Sequence, residues 1–218
     1  MESASELRVL VCDDHVMLAE GLTALLRAAE GIDVVGSAGS VAEVLEMAAM
    51  TTPDVIVLDY DLPDGTGVEA LEELRRCAPD ARVVMLTAFA DDPILVRAIE
   101  AGCAGFLTKQ KATADLVDAV RLVAAGEAVI PPDMLARLLP RFRRGDVSSP
   151  VALTPREQEV LELLATGATS AGMARDLEVS PNTIRNHVQA ILVKLGAHSR
   201  LEAVAIAVRE GLVSRRRG

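Results

Sequence analysis

The sequence predicts two domains, an α/β domain with a parallel sheet followed by an all-α domain. Up to about residue 127, short apolar runs alternate with segments whose apolar residues recur every three or four positions. This alternation is typical of strands that are each followed by a helix. A segment rich in proline, glycine and serine follows, and beyond Leu153 only the helical periodicity remains. A chain of 218 residues is long enough for two small domains.

Five strands are predicted in the first part, and their runs are nearly all apolar, which favours a sheet covered by helices on both faces. The runs lie at 7–12, 34–35, 55–58, 83–86 and 105–107. A helical segment follows each run, the last at about 112–125. We therefore expect an α/β flavodoxin-like (βα)5 domain over residues 1–127, with the parallel strand order 2-1-3-4-5.

A linker is predicted at 128–150, with a turn or more of helix within 134–142. Residues 151–218 are predicted to form the all-α domain, with helices at 155–166, 170–177, 181–195 and 199–210. Thr154 precedes Pro155 and Glu157, which is the pattern of a capped helix start. Ser180 and Ser199 are predicted to cap two further helices.

Charge divides the chain in the same place. Residues 1–127 hold 9 Lys and Arg against 23 Asp and Glu, whereas residues 128–218 hold 13 against 9. An acidic first part and a basic second part predict different partners for the two domains. No charged and apolar leader and no run of 18 apolar residues is present, and three cysteines lack metal-ligand spacing. We expect a cytoplasmic protein with reduced thiols and no membrane association.

Polar side chains follow the predicted strands at their carboxyl ends. Asp13 and Asp14 follow the first strand, Asp59 ends the third, and Thr87 and Lys109 follow the fourth and fifth. Because parallel strands end at one edge of the sheet, these side chains should lie close together. A single aspartate there is usually a helix cap, but five such residues are better explained as a site. Three carboxylates together require a counter-ion, and Mg²⁺ is the expected one.

Asp59 at a strand end leaves two kinds of chemistry open. It can accept a phosphoryl group and pass it to water, as a phosphatase does, or it can hold the phosphoryl group as a signal. Asp61 makes the first alternative specific, because Asp-x-Asp after a strand begins the active site of haloacid-dehalogenase phosphatases. That motif needs Thr or Val four residues after the nucleophile, where this chain has Pro63.

The stretches CDDHVMLAEGL, VIVLDYDLPDGTG, VMLTAFADD and AGFLTK resemble the receiver domain of bacterial two-component response regulators. The resemblance implies a phosphoacceptor at Asp59 and an Mg²⁺ site at Asp13, Asp14 and Asp59, with Asp13 acting largely through water. A backbone carbonyl ligand at Asp61 is also implied.

Three further roles follow from the same resemblance. It implies a switch hydroxyl at Thr87, a phosphate-binding lysine at Lys109 and an aromatic switch residue at Phe106. The last position is often tyrosine in the family. Phenylalanine there would act by packing alone, because it has no hydroxyl.

The stretches around LTPREQEVL and VSPNTIRNHVQAILVKL resemble the LuxR-type helix-turn-helix of NarL/FixJ regulators. In a helix at 181–195, Ile184, Val188 and Ile191 share the buried face. The resemblance implies base contacts in the DNA major groove at Arg185, Asn186 and Gln189, and phosphate contacts at Thr183, His187 and Lys194.

Two residues of this half can serve a purely structural role, and one stretch departs from the family pattern. A lone helical histidine such as His187 is often structural, and Arg200 can serve as an internal salt-bridge residue. Ser170-Ala-Gly-Met-Ala174 stands where the family has a polar Asn-Lys-Glu-Ile-Ala stretch, and Gly172 costs about 1 kcal/mol against alanine in a helix.

Together, the two resemblances imply a DNA-binding transcriptional response regulator and no dedicated enzyme. A sensor histidine kinase would phosphorylate Asp59, a homodimer would form, and two helices would contact two half-sites on double-stranded DNA. The alternatives are the phosphatase described above and a regulator whose acidic pocket no longer accepts phosphate.

Overall fold

The computed structural model describes residues 6–88, 92–142 and 152–213. Five strands form one parallel sheet: β1 (Leu7–Cys12), β2 (Ile32–Ala38), β3 (Val55–Asp59), β4 (Arg82–Thr87) and β5 (Gly105–Thr108). Their order across the sheet is β2-β1-β3-β4-β5. The predicted α/β class and strand order are therefore confirmed.

Helices cover both faces of this sheet. They are α1 (Val16–Arg27), α2 (Val41–Thr51), α3 (Gly67–Cys77), α4 (Asp92–Glu100) and α5 (Lys109–Ala124). Leu10 and Cys12 of β1 belong to one buried cluster, whereas Val9 and Val11 belong to the other. Alternate residues of a strand point to opposite faces, so this division gives the sheet two apolar sides. It explains why the strand runs contain almost no polar residue.

The second strand is longer than its sequence predicts. Only 34–35 form an apolar run, but β2 extends from Ile32 to Ala38. It lies at the edge of the sheet, and residues such as Asp33 and Ser37 are not buried. Because an edge strand has a solvated side, its polar residues interrupted the apolar run on which the prediction depended.

A short hairpin follows β3. Its two-residue strands, Asp61–Leu62 and Gly65–Thr66, pair antiparallel. The N–H of Gly67 donates to the carbonyl of Tyr60 at 2.7 Å. A Cβ atom on Gly67 would lie 2.5 Å from the carbonyl oxygen of Asp59, which is too close for any side chain. Glycine is therefore required where α3 begins.

The chain after α5 remains attached to the sheet. The N–H of Phe106 on β5 donates to the carbonyl of Val129 at 2.7 Å, so the first linker residues extend the sheet. Helix α6 (Pro132–Leu138) follows and ends in a 3₁₀ turn at Leu139–Arg141, which overlaps the stretch 134–142 where some helix was predicted. Arg137 and Arg141 pair with Asp92 of α4 at 2.6 and 2.9 Å. The rest of the predicted linker, 143–150, lies outside the described residues.

The all-α domain contains α7 (Pro155–Leu164), α8 (Ser170–Asp176), α9 (Pro181–Leu195) and α10 (Arg200–Arg209). The predicted caps are present: the side chains of Thr154, Ser180 and Ser199 accept backbone hydrogen bonds at the starts of α7, α9 and α10. Helix α8 forms despite Gly172, and Thr169 accepts the N–H of that glycine at 3.2 Å. Cap hydrogen bonds of this kind set where each helix begins.

Candidate functional site

The carboxyl ends of the strands bring together the polar side chains that the sequence singled out. Asp13, Asp59 and Thr87 are 2 %, 1 % and 3 % exposed at the ends of β1, β3 and β4. Lys109 begins α5, directly after β5. Its Nζ lies 2.6 Å from Oδ2 of Asp59 and 3.0 Å from Oδ2 of Asp13. One ammonium group therefore faces two buried carboxylates.

A second pair of side chains completes an acidic cluster. One ligand atom from each of Asp13, Asp14, His15 and Asp59 lies within 4.8 Å of the others. Carboxylate oxygens dominate this donor set, and within the described residues Lys109 is the ammonium that opposes them. Hard divalent cations prefer such oxygen ligands, so the residues present fit Mg²⁺. The cluster can hold a metal ion.

Burial and neighbouring charges shift the pKa values of the central pair. Burial raises the pKa of Asp59 above its usual range, and the hydrogen bond from Lys109 opposes that shift. Burial alone would lower the pKa of Lys109, but its hydrogen bonds to Asp59 and Asp13 raise it overall. Lys109 is therefore protonated, and further positive charge beside Asp59 would favour its carboxylate form.

Two more predicted residues, Asp61 and Phe106, are outside the four clustered ligand groups. Asp61 begins the short hairpin two residues after Asp59, and its exposed side chain is not among the four clustered ligand groups. This leaves its backbone carbonyl as the group to consider. Phe106 on β5 is 1 % exposed, and it belongs to the same buried cluster as Met134 and Leu138 of α6.

Helix α9 carries the six residues for which DNA contacts were predicted. Ile184, Val188 and Ile191 are buried, which turns the opposite side of α9 away from the domain core. Arg185, Asn186 and Gln189 are among the exposed residues of this helix. Their side chains offer guanidinium and amide groups, which can pair with base edges.

The three predicted phosphate contacts differ in their surroundings. Thr183 and His187 are half-buried, and the Thr183 hydroxyl lies 2.9 Å from Ser180 Oγ at the helix cap. The Nζ of Lys194 lies 2.6 Å from Oε2 of Glu157 and donates to the carbonyl of Ala152 at 3.3 Å. Lys194 therefore also joins α9 to the start of α7.

Comparison with known proteins identifies both domains. Residues 9–121 match the family described as response regulator receiver domain, and residues 151–207 match the bacterial regulatory proteins of the luxR family. The chain belongs to the LuxR-type response regulators. It combines a receiver domain with a LuxR-type DNA-binding domain, as the sequence motifs implied, and the two resemblances are confirmed.

Relatives and solved structures match this chain over nearly its whole length. The transcriptional regulatory protein LiaR of Bacillus subtilis is 35 % identical over 210 residues, which cover 95 % of this chain and 100 % of LiaR. The activator DevR/DosR of Mycobacterium tuberculosis is 36 % identical, covering 92 % and 93 % of the two chains. RcsB of Salmonella typhimurium has a TM-score of 0.56 at 26 % identity, covering 92 % and 97 %. A second RcsB structure, of dimers bound to DNA, has a TM-score of 0.56 at 25 % identity, covering 94 % and 98 %.

The two domains of this response regulator contact each other directly. Arg200, which the sequence suggested as an internal salt-bridge residue of the DNA-binding domain, pairs instead with Glu127 at the end of the receiver, at 2.6 Å. Its other terminal nitrogen donates to Ser170 of α8 at 2.8 Å. The Ser199 hydroxyl donates to the carbonyl of Cys103 at 2.9 Å. The contacts with Glu127 and Cys103 hold α10 against the receiver.

Sequence reasoning missed His15 and the receiver residues at this interface. His15 follows the acidic pair directly, and its Nδ1 lies 2.7 Å from Oδ1 of Asp14, so its position in the chain was an available signal. Glu127 carried no comparable signal, because its partner Arg200 is 73 residues away. Within the described residues, no helix is long and apolar enough to cross a bilayer.

Proposed function

We propose that phosphorylation of Asp59 by a sensor histidine kinase switches this response regulator. The observation that carries the proposal is the contact of 2.6 Å between Lys109 and Asp59 inside the acidic cluster. A buried carboxylate with an ammonium group beside it can accept a phosphoryl group whose charge is then partly balanced. In this proposal the receiver occupies residues 1–127, the linker 128–150 and the DNA-binding domain 151–218.

Phosphoryl transfer needs no proton to leave Asp59. An oxygen of its carboxylate attacks phosphorus, and the bond from phosphorus to the imidazole nitrogen of the donor histidine breaks, with its electron pair remaining on that nitrogen. Lys109 binds one phosphoryl oxygen, and the Thr87 hydroxyl donates to another. Asp13, Asp14 and the Asp61 carbonyl would hold Mg²⁺ together with Asp59. When bound, the ion neutralises charge on the phosphoryl group.

The switch is transmitted by Thr87 and Phe106. Movement of the Thr87 hydroxyl towards the phosphoryl group changes the space beside Phe106, which lies on the neighbouring strand. Phe106 is linked to Val129 by a backbone hydrogen bond, so a change there reaches the linker. Arg137 of the linker is also paired with Asp92, close in sequence to Thr87. The arrangement in which α10 contacts Glu127 and Cys103 of the receiver is the closed arrangement. Phosphorylation must favour an active arrangement, with the domains apart, over the closed one for this to act as a switch.

Arg185, Asn186 and Gln189 read base edges in the major groove, while Thr183, His187 and Lys194 contact phosphates. Arg185 and Gln189 line a space between the DNA-binding domain and the receiver, so the closed arrangement restricts access to α9. The phosphorylated protein would open, form a homodimer and place two α9 helices on half-sites about one DNA turn apart. RcsB dimers bound to DNA support this mode of binding by analogy.

This role implies a cytoplasmic protein, where DNA and kinase are both accessible, without dedicated enzymatic activity beyond slow loss of its own phosphoryl group. Incubation with acetyl phosphate and Mg²⁺ tests the proposal, with intact-protein mass as the readout. We expect a phosphoryl adduct that disappears in Asp59→Ala. Rapid multiple turnover of phosphate esters would instead support a phosphatase, and absence of an adduct would support a regulator that no longer accepts phosphate.

DNA reading is tested by selecting bound sequences from a random pool, with and without phosphorylation. Arg185→Ala should change the preference at one base position by about 1–3 kcal/mol. If the variant weakened binding to all sequences equally, Arg185 would be a phosphate contact. Arg175→Ala, on α8, is a matched control that removes an exposed arginine from the same domain.

A further inference from the structure

A cavity of about 370 Å³ lies between the receiver and the DNA-binding domain. Its receiver side is formed by α3, the start of β4 and the turn after α5, and its other side by α9 and the start of α10. This volume is within the range of small-molecule sites, roughly 300–1,000 Å³. The cavity is separate from the acidic cluster at the strand ends, since none of Asp13, Asp14 and Asp59 lines it.

The lining of this interdomain cavity is rich in arginine. The receiver contributes Arg75 and Arg82, and the DNA-binding domain contributes Arg185 and Arg200. Two acidic residues, Asp80 and Glu127, also line it, as does His198. Even when Glu202, which lies against Arg75, is added to these two carboxylates, the four guanidinium groups leave an excess of one positive charge. Arginines from both domains face one space, and Arg82 and Arg185 are exposed there, so an anion from solution can reach them.

The existing partners of these arginines do not balance all of that charge. Glu127 pairs with Arg200, and Glu202 lies 3.7 Å from Arg75. Within the described part of the chain, Arg82 and Arg185 have neutral acceptors. Arg82 donates to the carbonyl of Ala124 at 2.7 Å, and Arg185 donates to the amide oxygen of Asn182 at 3.4 Å.

Arg200 is the most constrained member of the group. It is 5 % exposed, and its Nε makes no hydrogen bond to any residue that the structure describes. Burial lowers its pKa, and the charges of Arg82 and Arg185 lower it further, against the opposing effect of Glu127. A buried donor without an acceptor, close to two like charges, is a costly arrangement. An anion in the cavity would relieve the repulsion.

We propose that this interdomain cavity binds a small anion carrying two or more phosphate groups, held between Arg82 of the receiver and Arg185 of the DNA-binding domain. Guanidinium groups match phosphate oxygens with paired hydrogen bonds, which lysine cannot reproduce. The residues that line the cavity include no Phe, Tyr or Trp on which a nucleobase could stack, and the imidazole of His198 lies 3.3 Å from Glu202. The charge of the ligand, and not a base, therefore determines its recognition.

The anion would inhibit DNA binding, an effect that rests on the proposed function. It contacts both domains only in the closed arrangement, so binding stabilises that arrangement by mass action. It also occupies Arg185, which is proposed to read a base. A rise in the ligand would then raise the amount of phosphorylation needed for DNA binding.

Calorimetric titration of the unphosphorylated full chain with sodium pyrophosphate tests the site, without Mg²⁺ and at constant ionic strength. We expect one pyrophosphate per chain and at least a ~10-fold weaker affinity in Arg82→Gln. Arg121→Gln is the matched control, because Arg121 also donates to a backbone carbonyl, that of Glu30, but does not line the cavity. It should bind pyrophosphate like the unmodified protein.

Several results would overturn the proposal. One is the absence of binding at millimolar pyrophosphate, and another is an equal loss of pyrophosphate affinity in Arg82→Gln and Arg121→Gln. A third is loss of binding in Lys109→Gln, which would assign the anion to the acidic cluster. Because this titration contains no DNA, its outcome is independent of the proposed DNA reading. The regulatory part is tested separately: pyrophosphate should weaken DNA binding more than sodium chloride of equal ionic strength, and equal effects would overturn it.

Discussion

The Nη1 atom of Arg200 lies 2.6 Å from Oε2 of Glu127, so a nearly buried ion pair joins the DNA-binding domain to the end of the receiver. The same carboxylate accepts the N–H of Ser170 at 3.2 Å. Glu127 thus contacts two helices of the other domain at once. Its contacts belong to the closed arrangement, which makes it the residue through which that arrangement can be weakened selectively.

Glu127→Gln should increase DNA binding by the unphosphorylated protein. Removing one partner of a buried ion pair leaves the other charge uncompensated, at a cost of about 3–5 kcal/mol. That cost falls on the closed arrangement, since Arg200 can be hydrated once the domains separate. We expect at least a ~10-fold gain in DNA affinity, measured by fluorescence anisotropy on a selected sequence. Glu159→Gln, which removes an exposed partner of Arg156, should leave affinity unchanged, and equal gains in both variants would contradict this role of Glu127.

Mg²⁺ binding should depend on the side chain of Asp14 but not on that of Asp61. Asp14 offers a carboxylate oxygen to the cluster, so Asp14→Asn should weaken Mg²⁺ binding by about tenfold or more. Asp61→Asn keeps the backbone carbonyl and should change the affinity little. The single tyrosine of the chain, Tyr60, follows Asp59 directly, and its fluorescence can follow the titration. Equal losses in the two variants would mean that the Asp61 carboxylate itself binds the ion.

The pair of Glu157 and Lys194 should make stability depend on acid pH. The hydrogen bond from Lys194 lowers the pKa of Glu157 from 4.5 to about 2. A carboxyl group with a lower pKa in the folded state stabilises the fold above its unfolded pKa and loses that contribution as pH falls through the folded value. Glu157→Gln should lower the free energy of unfolding at neutral pH by about 1 kcal/mol. Glutamine can still complete the helix cap.

The unmodified protein and Glu157→Gln should differ less in their free energy of unfolding as pH falls from 4.5 towards 2. Urea unfolding followed by circular dichroism measures this difference. Glu159→Gln provides the comparison, since Glu159 is exposed in its pair with Arg156. A difference that stays constant over this range would show that the charge of Glu157 contributes nothing.

Gly172→Ala should stabilise the DNA-binding domain by about 0.5–1 kcal/mol. A Cβ atom there would meet only Oγ1 of Thr169, at an ordinary contact distance of 3.5 Å. Alanine therefore removes backbone freedom from the unfolded chain without a clash. Gly196→Ala is the opposite control, because Gly196 ends α9 at a φ of +65°, where alanine is strained. Thermal unfolding should move upward in the first variant and downward in the second.

The acidic cluster was predictable because parallel strands end at one edge of a sheet. Asp13, Asp59 and Lys109 are far apart in the chain, but the position of each at the end of an apolar run was enough to bring them together. The surroundings of Lys194 were not predictable in this way. Its pairing with Glu157 depends on how α7 and α9 pack, and no local periodicity encodes that packing.

The same reasoning explains why the contact between the domains was missed. The pattern that identified Thr154 and Ser199 as caps is local, spanning three residues between the cap and its partner. The partner of Arg200 is separated from it by a linker and most of a domain. Sequence patterns predicted each domain and its chemistry, whereas the contact between the two domains was visible only in the folded structure.

The hydrogen bond from Phe106 to Val129 bears on how such regulators can be recombined. A hybrid protein that exchanges output domains needs a crossover point, and the end of α5 would look like a natural one. A crossover at Glu127 would replace the residue whose carbonyl accepts the Phe106 N–H and would remove the arginines that hold Asp92. A crossover beyond Phe142 would transfer the receiver together with α6 and with Val129, which bridges to β5, so the incoming domain would be joined to an intact sheet edge.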